Sequence, residues 1–143
     1  TGDFFLLYRN ASKEEVKKQI ILSLIKSAPI IADSHYSGFV NDGLDGQFER
    51  ALSESELESL SRGVDPYLVF VDLDSHTLMT RRLNDKSNQR DQDKSNALDE
   101  LEHNRNSFFE YCNQLGKWGL VINNYHIDLS FQELLTFYKE VFR

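Results

Sequence analysis

The stretch YLVFVDLD, residues 67–74, constrains the fold more than any other part of the chain. Its first five residues are aromatic, β-branched or leucine, a composition typical of a strand. Directly behind it, Asp74 and Ser75 are suited to cap a helix, and apolar residues then recur at helical spacing through Met79 and Leu83. A strand followed at once by a helix is the unit from which parallel sheets with covering helices are built.

Strand and helix patterns alternate four times along the 143 residues. Short apolar runs predict strands at 4–8, 29–33, 67–74 and 118–125. Helical spacing of apolar residues predicts helices over 12–28, 48–60, 75–83, 98–115 and 130–142. Ser12 is the expected cap of the first helix and Ser130 of the last. This order predicts a single three-layer α/β/α domain with a mostly parallel sheet over residues 1–143.

Residues 84–96, NDKSNQRDQDKSN, interrupt this alternation because they contain no apolar residue. A segment of this composition has nothing to bury, so we predict a solvated loop or a lid.

Composition narrows the classes of function. The formal charge of −7 disfavours general binding to nucleic acid or to an anionic membrane. The single cysteine, Cys112, excludes an internal disulfide framework and a multi-cysteine zinc site, and a cytoplasmic location is the expectation. No apolar run approaches the roughly 18 residues that span a bilayer. We therefore expect neither a nucleic-acid partner nor a membrane partner.

A polar cluster, Asp33-Ser34-His35-Tyr36, follows the second predicted strand. In open α/β sheets, ligands bind just outside the carboxyl ends of the strands. Asp33 could there hold Mg²⁺ through water or accept a proton from a substrate hydroxyl, and Tyr36 or Phe39 could stack on a base. The alternative is a polar strand exit over which Tyr36 packs.

Arginines form the second candidate group. Arg81 and Arg82 end a predicted helix, Arg90 lies in the segment without apolar residues, and Arg105 lies on the long helix. Arginine pairs bidentately with phosphate and stabilises the charge of a transferring phosphoryl group. The alternative is a solvated helix end, where cations favour the helix dipole.

Asp72 and Asp74 alternate at the end of the third predicted strand and share a face. The pair resembles the opening motif of haloacid-dehalogenase-type phosphatases, in which the first aspartate is the nucleophile. The alternative is that Asp74 caps the following helix.

A phosphate-cradling P-loop, GxxxxGK[ST], does not occur in these 143 residues. Gly38 and Gly43 have the required glycine spacing, but Leu44 and Asp45 occupy the positions of the lysine and the hydroxyl residue. An aspartate at that position would repel phosphate.

The order of these elements resembles a nucleoside or nucleotide kinase of the thymidylate kinase type, within the P-loop kinases. IIADSHYSG resembles the family's strand ending in Asp-Arg-Tyr, and YLVFVDLDSHTLMTRRL resembles the strand and helix that lead into its lid. NQRD falls in that lid, and GLVINNY with the final helix matches the family's ending. The resemblance implies a P-loop-kinase-like fold and phosphoryl transfer from ATP to a nucleoside or nucleotide, with Mg²⁺ and ATP as cofactors.

The resemblance also implies roles for single residues. Asp33 would be the acid near Mg²⁺ and substrate, Arg82 would open the lid, and Arg90 would contact phosphate from within it. Substrate contacts are expected from Ser34, His35, Tyr36, Phe39 and Arg81. Ser34 or His35 stands where the family often has arginine.

The first strand, P-loop and first helix of such a kinase have no counterpart in this sequence. Three explanations fit this departure: a kinase completed by residues upstream or by a second chain, a degenerate kinase-like module used for binding, or a general α/β likeness. An interaction module would use the acidic segment 48–60 to face a basic protein partner. The phosphatase reading, which rests on Asp72 and Asp74, stays a further alternative.

Overall fold

The computed structural model describes residues 13–29, 31–33, 35–39, 48–85 and 94–142. These ranges contain five helices and four short strands, a mixed α/β structure. Their order is α1 (Lys13–Ser27), β1 (Ser37–Phe39), β2 (Phe48–Arg50), α2 (Glu54–Gly63), β3 (Val69–Asp72), α3 (Ser75–Asn84), α4 (Lys94–Leu115), β4 (Leu120–Asn123) and α5 (Ile127–Val141). The predicted strand at 4–8 and the predicted cap Ser12 lie outside the described residues.

The described residues form two compact units. The first unit contains α1 and α2, and the second contains all four strands with α3, α4 and α5. Asp33 belongs to the first unit, whereas His35 and the residues that follow it up to Ala51 belong to the second.

In the first unit, α1 packs against α2. Ile21 of α1 and Leu57 and Leu60 of α2 are buried. Gly63 at the end of α2 lies so close to Ile25 that a Cβ atom there would meet its side chain at 2.6 Å. The unit therefore has a small apolar contact between two amphipathic helices, flanked by an ion pair of 3.3 Å from Lys17 Nζ to Glu56 Oε2.

In the second unit, β3 and β4 form a parallel pair, as the strand–helix alternation predicts. Val69 is in register with Leu120 and Asp72 with Asn123. The Leu120 N–H donates to Leu68 O over 2.9 Å, which extends the ladder before the strands. The chain between the two strands is helical in α3 and α4, which is the crossover that parallel strands require.

The aromatic core of this unit lies between β3 and α4. Phe108 is 1% exposed, and its ring stacks on Phe70 with centroids 5.5 Å apart. The Tyr36 ring packs edge-on against Phe108 at 5.4 Å and Tyr111 at 5.6 Å. Ile122 of β4 is also 1% exposed. These contacts fix α4 to the sheet and thereby position the polar groups at its ends.

The turn from α4 into β4 is set by two glycines. Gly116 has a φ of 61°, its N–H donates to Asn113 O, and the Lys117 N–H donates to Cys112 O. This pair of bonds is a Schellman motif, which favours glycine because the conformation is left-handed. Gly119 instead lacks space: a Cβ atom there would lie within 2.6 Å of Phe108 Cε2 and 2.8 Å of Cys112 Sγ. Cys112 is half-buried.

The prediction of a strand at 29–33 is wrong for the residues that the structure describes. Residues 31–33 have no regular secondary structure, and Ile31 is 74% exposed. The strand of this region is β1, which pairs antiparallel with β2, and the Ala51 N–H donates to Tyr36 O at 2.8 Å. A run of three apolar residues is too short to distinguish a buried strand from an exposed segment.

The prediction of a helix over 48–60 is wrong in its first part, because residues 48–50 form β2. Helix α2 begins at Glu54, where Ser53 and Glu56 form a capping box. The Ser53 hydroxyl accepts from the Glu56 N–H, and the Glu56 carboxylate accepts from the Ser53 N–H over 2.7 Å. This reciprocal pair satisfies two backbone donors and so places the helix start.

Two further boundaries differ from the prediction. Helix α4 begins at Lys94, so residues 94–96 are helical, whereas we predicted a loop or lid over all of 84–96. Helix α5 begins at Ile127, so Ser130 lies within its first turn and is not the cap. The Ser130 hydroxyl instead lies 2.9 Å from His126 O and 3.1 Å from Asn123 O, which bonds the helix back to the end of β4. The remaining predicted elements, α1, α3, β3 and β4, are confirmed within a few residues.

Candidate functional site

Polar side chains gather where β3 and β4 end. Because the two strands are parallel, their carboxyl ends meet at one edge, and the Asn124 N–H donates to Asp72 O at 2.9 Å there. We call this region the carboxyl edge and define it by Asp72, Asp74, Asn124 and Tyr125 with the arginines that contact them. Such edges are where ligands bind in open α/β sheets.

Asp72 is held by Arg105 of α4. Arg105 Nη2 donates to Asp72 Oδ1 over 2.7 Å, and Arg105 Nε donates to Asp72 Oδ2 over 3.2 Å. The Leu73 N–H adds a bond of 2.8 Å to Oδ1. A two-point pairing of this kind orients both side chains. It leaves other N–H groups of Arg105 without a hydrogen bond among the described residues.

Arg81 of α3 contacts the end of β4 from the other side. Its Nη2 donates to Asn124 O over 2.7 Å and lies 3.4 Å from Tyr125 O. Its Nε and Nη1 form no hydrogen bond within the ranges that the structure describes. Arg81 and Arg105 therefore both bring to the same edge of the sheet N–H donors that no described residue accepts.

Asp74 caps α3, as one of the two sequence readings predicted. Its Oδ1 accepts from the Thr77 N–H over 3.0 Å. Hydrogen bonds from Thr77, and more weakly from the Tyr125 hydroxyl, lower the pKa of Asp74 to about 2. The same contact with Asp74 raises the pKa of Tyr125. Asp74 is therefore an anion at neutral pH that joins the start of α3 to the end of β4.

Replacing Asp74 by asparagine should flatten the acid limb of the stability curve. Asparagine caps a helix as well as aspartate does but does not titrate. Because the pKa of folded Asp74 lies below the ordinary value of 3.8, its contribution is fully present above about pH 5 and is lost as the pH falls toward about 2. Urea unfolding at a series of pH values measures this slope. An unchanged slope in Asp74→Asn would contradict the assignment.

Arg82 has a different partner from Arg81 although it is the next residue. Its Nη2 donates to Glu100 Oε2 of α4 at 2.6 Å, and its side chain is largely buried. The pair joins α3 to α4. In this arrangement Arg82 positions the helices, and its predicted role at the opening of a lid stays a prediction.

The other predicted site residues are distributed over both units. Asp33 and His35 are exposed and belong to different units. The Tyr36 hydroxyl donates to Val69 O at 2.7 Å, and burial is the main cause that raises its pKa to about 12. The Phe39 backbone pairs with Phe48 in the β1–β2 ladder. Ser34 and Arg90 lie outside the described residues.

Sequence reasoning missed two residues that organise this unit. Tyr125 was not among the predicted site residues, although its interaction with Asp74 raises its pKa. Asn104 is buried, its Oδ1 accepts the N–H groups of Tyr36 and Ser37 at 2.9 and 3.1 Å, and its Nδ2 donates to Glu100 O. A polar residue in the middle of an apolar helix face was the signal for Asn104.

Metal ligands are not clustered in the part of the chain that the structure describes. No group of three or more histidine, cysteine, aspartate or glutamate side chains is arranged there to hold an ion. None of the helices in the described ranges combines the length and apolar content needed to cross a bilayer.

No protein-family model matches the chain, and no curated protein is significantly similar to it in sequence.

Proposed function

We propose that the carboxyl edge binds the phosphate of a nucleotide, as the acceptor side of phosphoryl transfer from ATP to a nucleoside or nucleotide. The observation that carries this proposal is the convergence of Arg81 and Arg105 on the carboxyl edge of a parallel strand pair, each with N–H donors that form no hydrogen bond to the described residues. A site with two oriented guanidinium groups suits an anion with several oxygens.

Phosphoryl transfer depends mostly on the positioning of the groups around the phosphate. In this structure the contacts of Arg81 and Arg105 position their guanidinium groups. Asp72 orients Arg105 through two bonds, and the backbone carbonyls of Asn124 and Tyr125 orient Arg81. Because these bonds fix the side-chain conformations of both arginines before phosphate binds, less conformational entropy is lost on binding. A P-loop-kinase-like three-layer sheet around this strand pair is part of the proposal.

The residues that the structure describes do not form a binding site for ATP, the phosphoryl donor. The sequence contains no P-loop to cradle ATP, and the described residues hold no cluster of ligands for Mg²⁺. Asp33 as the magnesium ligand and Arg90 as a lid arginine stay predictions of the family resemblance.

The contacts of Asp72 argue against the phosphatase alternative. A nucleophilic aspartate must present a free carboxylate oxygen to phosphorus. In the structure the Asp72 carboxylate accepts from the Arg105 guanidinium and the Leu73 N–H, and Asp74 caps α3. Both oxygens of Asp72, which would be the nucleophile in this reading, therefore already accept hydrogen bonds.

Calorimetric titration with nucleoside monophosphates tests the proposal. We expect Arg81→Ala and Arg105→Ala each to weaken binding by about 10- to 100-fold, since a hydrogen bond to a charged group contributes about 1.5–3 kcal/mol. Arg62→Ala is the matched control, because Arg62 is exposed and its ion pair among the described residues is with Glu58 of its own helix. Thermal unfolding of each variant shows that the fold is kept.

Two results would count against this site. Nucleoside monophosphates that produce no heat with the folded wild-type protein would remove the acceptor role. Binding that survives both arginine substitutions unchanged would place the nucleotide elsewhere on the chain.

A further inference from the structure

Helix α5 presents an apolar stripe that the described residues leave uncovered. Ile127 is 73% exposed, Phe131 59%, Tyr138 43% and Phe142, which directly follows the helix, 49%. Their spacing of four, seven and four residues places them on one face of the helix. The helix has no fully buried residue. Large apolar side chains that are contiguous and exposed mark interaction sites.

Contacts with other parts of the second unit hold the stripe in place. The Tyr67 ring contacts Phe137 at 6.4 Å and Phe142 at 6.1 Å, and the Tyr138 and Phe142 rings lie 4.8 Å apart. Ser130 anchors the first turn to the end of β4. Because the helix is fixed in place, little ordering is needed when a partner docks on the stripe.

We infer that this stripe is the interface of a two-fold symmetric homodimer, in which α5 packs antiparallel against α5 of a second copy. The stripe is complementary to itself under such an axis. The axis that places Ile127 opposite Phe142 of the second copy also places Phe131 opposite Tyr138 of the second copy. An isologous interface requires this kind of reciprocity.

The charges beside the stripe agree with antiparallel pairing. Asp128 lies in the first turn of α5 and Lys139 in the last. They are 11 residues apart, about three turns, so they lie on the same flank. In the antiparallel dimer Asp128 of each copy comes beside Lys139 of the other, which forms two opposite-charge pairs. Neither residue has a hydrogen bond or ion pair within the described part of the chain.

The helix dipoles favour the same arrangement, because each positive N-terminus lies beside a negative C-terminus. A helix of 15 residues is about 22 Å long, so the interface is small. The dimer should therefore dissociate on dilution rather than be permanent.

Sedimentation velocity over a dilution series from about 200 to about 2 µM measures this association. We expect the mass to rise from that of the 16.6 kDa monomer toward twice that value as concentration increases. Phe131→Glu should remain monomeric throughout. Leu129→Glu is the matched control, since Leu129 is 63% exposed on the opposite face of α5, and it should associate like the wild type.

A charge exchange tests the register of the pairing. Asp128→Lys and Lys139→Asp should each weaken the dimer by about tenfold, because two attractive pairs become two repulsive ones. The double variant should restore association to near the wild-type level. It carries the least favourable charges for the helix dipole, so restoration could not come from a more stable helix.

A wild-type chain that stays monomeric at the highest concentration would overturn the inference. So would a dimer that tolerates Phe131→Glu, a loss of association in Leu129→Glu, or a double charge variant that remains as weak as the single ones.

Discussion

Replacing Phe108 by alanine should lower the free energy of unfolding by about 3–5 kcal/mol, a large fraction of the roughly 5–15 kcal/mol by which domains are stable. Phe108 is 1% exposed and contacts the rings of Tyr36, Phe70 and Phe109. Its removal leaves a cavity that α4 and β3 cannot close without losing their own contacts. Equilibrium unfolding in urea, followed by far-UV circular dichroism, measures the change.

The adjacent Phe109 is the matched control. It lies on the same helix and has the same side chain, but it is half-exposed. Phe109→Ala should therefore cost less than about 1 kcal/mol. Equal losses in the two variants would show that α4 does not face the core as described.

Replacing Asn104 by leucine should cost about 2–4 kcal/mol, although leucine is similar in size and more apolar. The Asn104 amide oxygen accepts the N–H groups of both Tyr36 and Ser37, and Ser37 is buried. Leucine leaves both donors without that acceptor, and each unsatisfied buried donor costs about 1–3 kcal/mol. Urea unfolding of Asn104→Leu measures the loss.

Asn106→Leu provides the comparison for this change, because Asn106 is exposed on the same helix. It should alter stability by less than about 0.5 kcal/mol. Amide hydrogen exchange adds a local readout: in Asn104→Leu, protection should fall first at Tyr36 and Ser37. A variant as stable as the wild type would refute the bridging role of Asn104.

Much of the helical structure could be predicted from the sequence because it depends on local periodicity. The apolar spacing in α1, α3 and α4 survives in the structure, and the Asp74 cap of α3 was one of the two readings of that residue. The strands β3 and β4 were predicted because each is rich in β-branched and aromatic residues. For the helices, the errors fall at the boundaries: residues 48–50 form β2, and α5 begins at Ile127.

The antiparallel pair β1–β2 could not be predicted in the same way. Each strand has three residues, which is too short for a periodic signal. The capping box of Ser53 and Glu56 was a local signal for the start of α2, but the apolar residues Phe48 and Leu52 extended the helical pattern past it. At residues 48–50 the pairing of β2 with β1 therefore outweighs the local helical pattern.

The candidate site could be predicted only in part, because its defining contacts join distant residues. Arg105 and Asp72 are 33 residues apart, and Arg81 and Asn124 are 43 apart. Spacing along the chain identifies arginines and acids but not which of them meet. The β3–β4 register and the packing of α4 through Phe108 determine these partners.

The most direct test of the central claim is an amide chemical-shift titration of the uniformly ¹⁵N-labelled chain with a nucleoside monophosphate. We predict saturable shifts that concentrate at residues 72–77 and 123–125 and at the Nε–H groups of Arg81 and Arg105. The matching nucleoside without phosphate should produce much weaker shifts at the arginines. Shifts confined to other parts of the chain, or none at millimolar nucleotide, would contradict a phosphate site at the carboxyl edge.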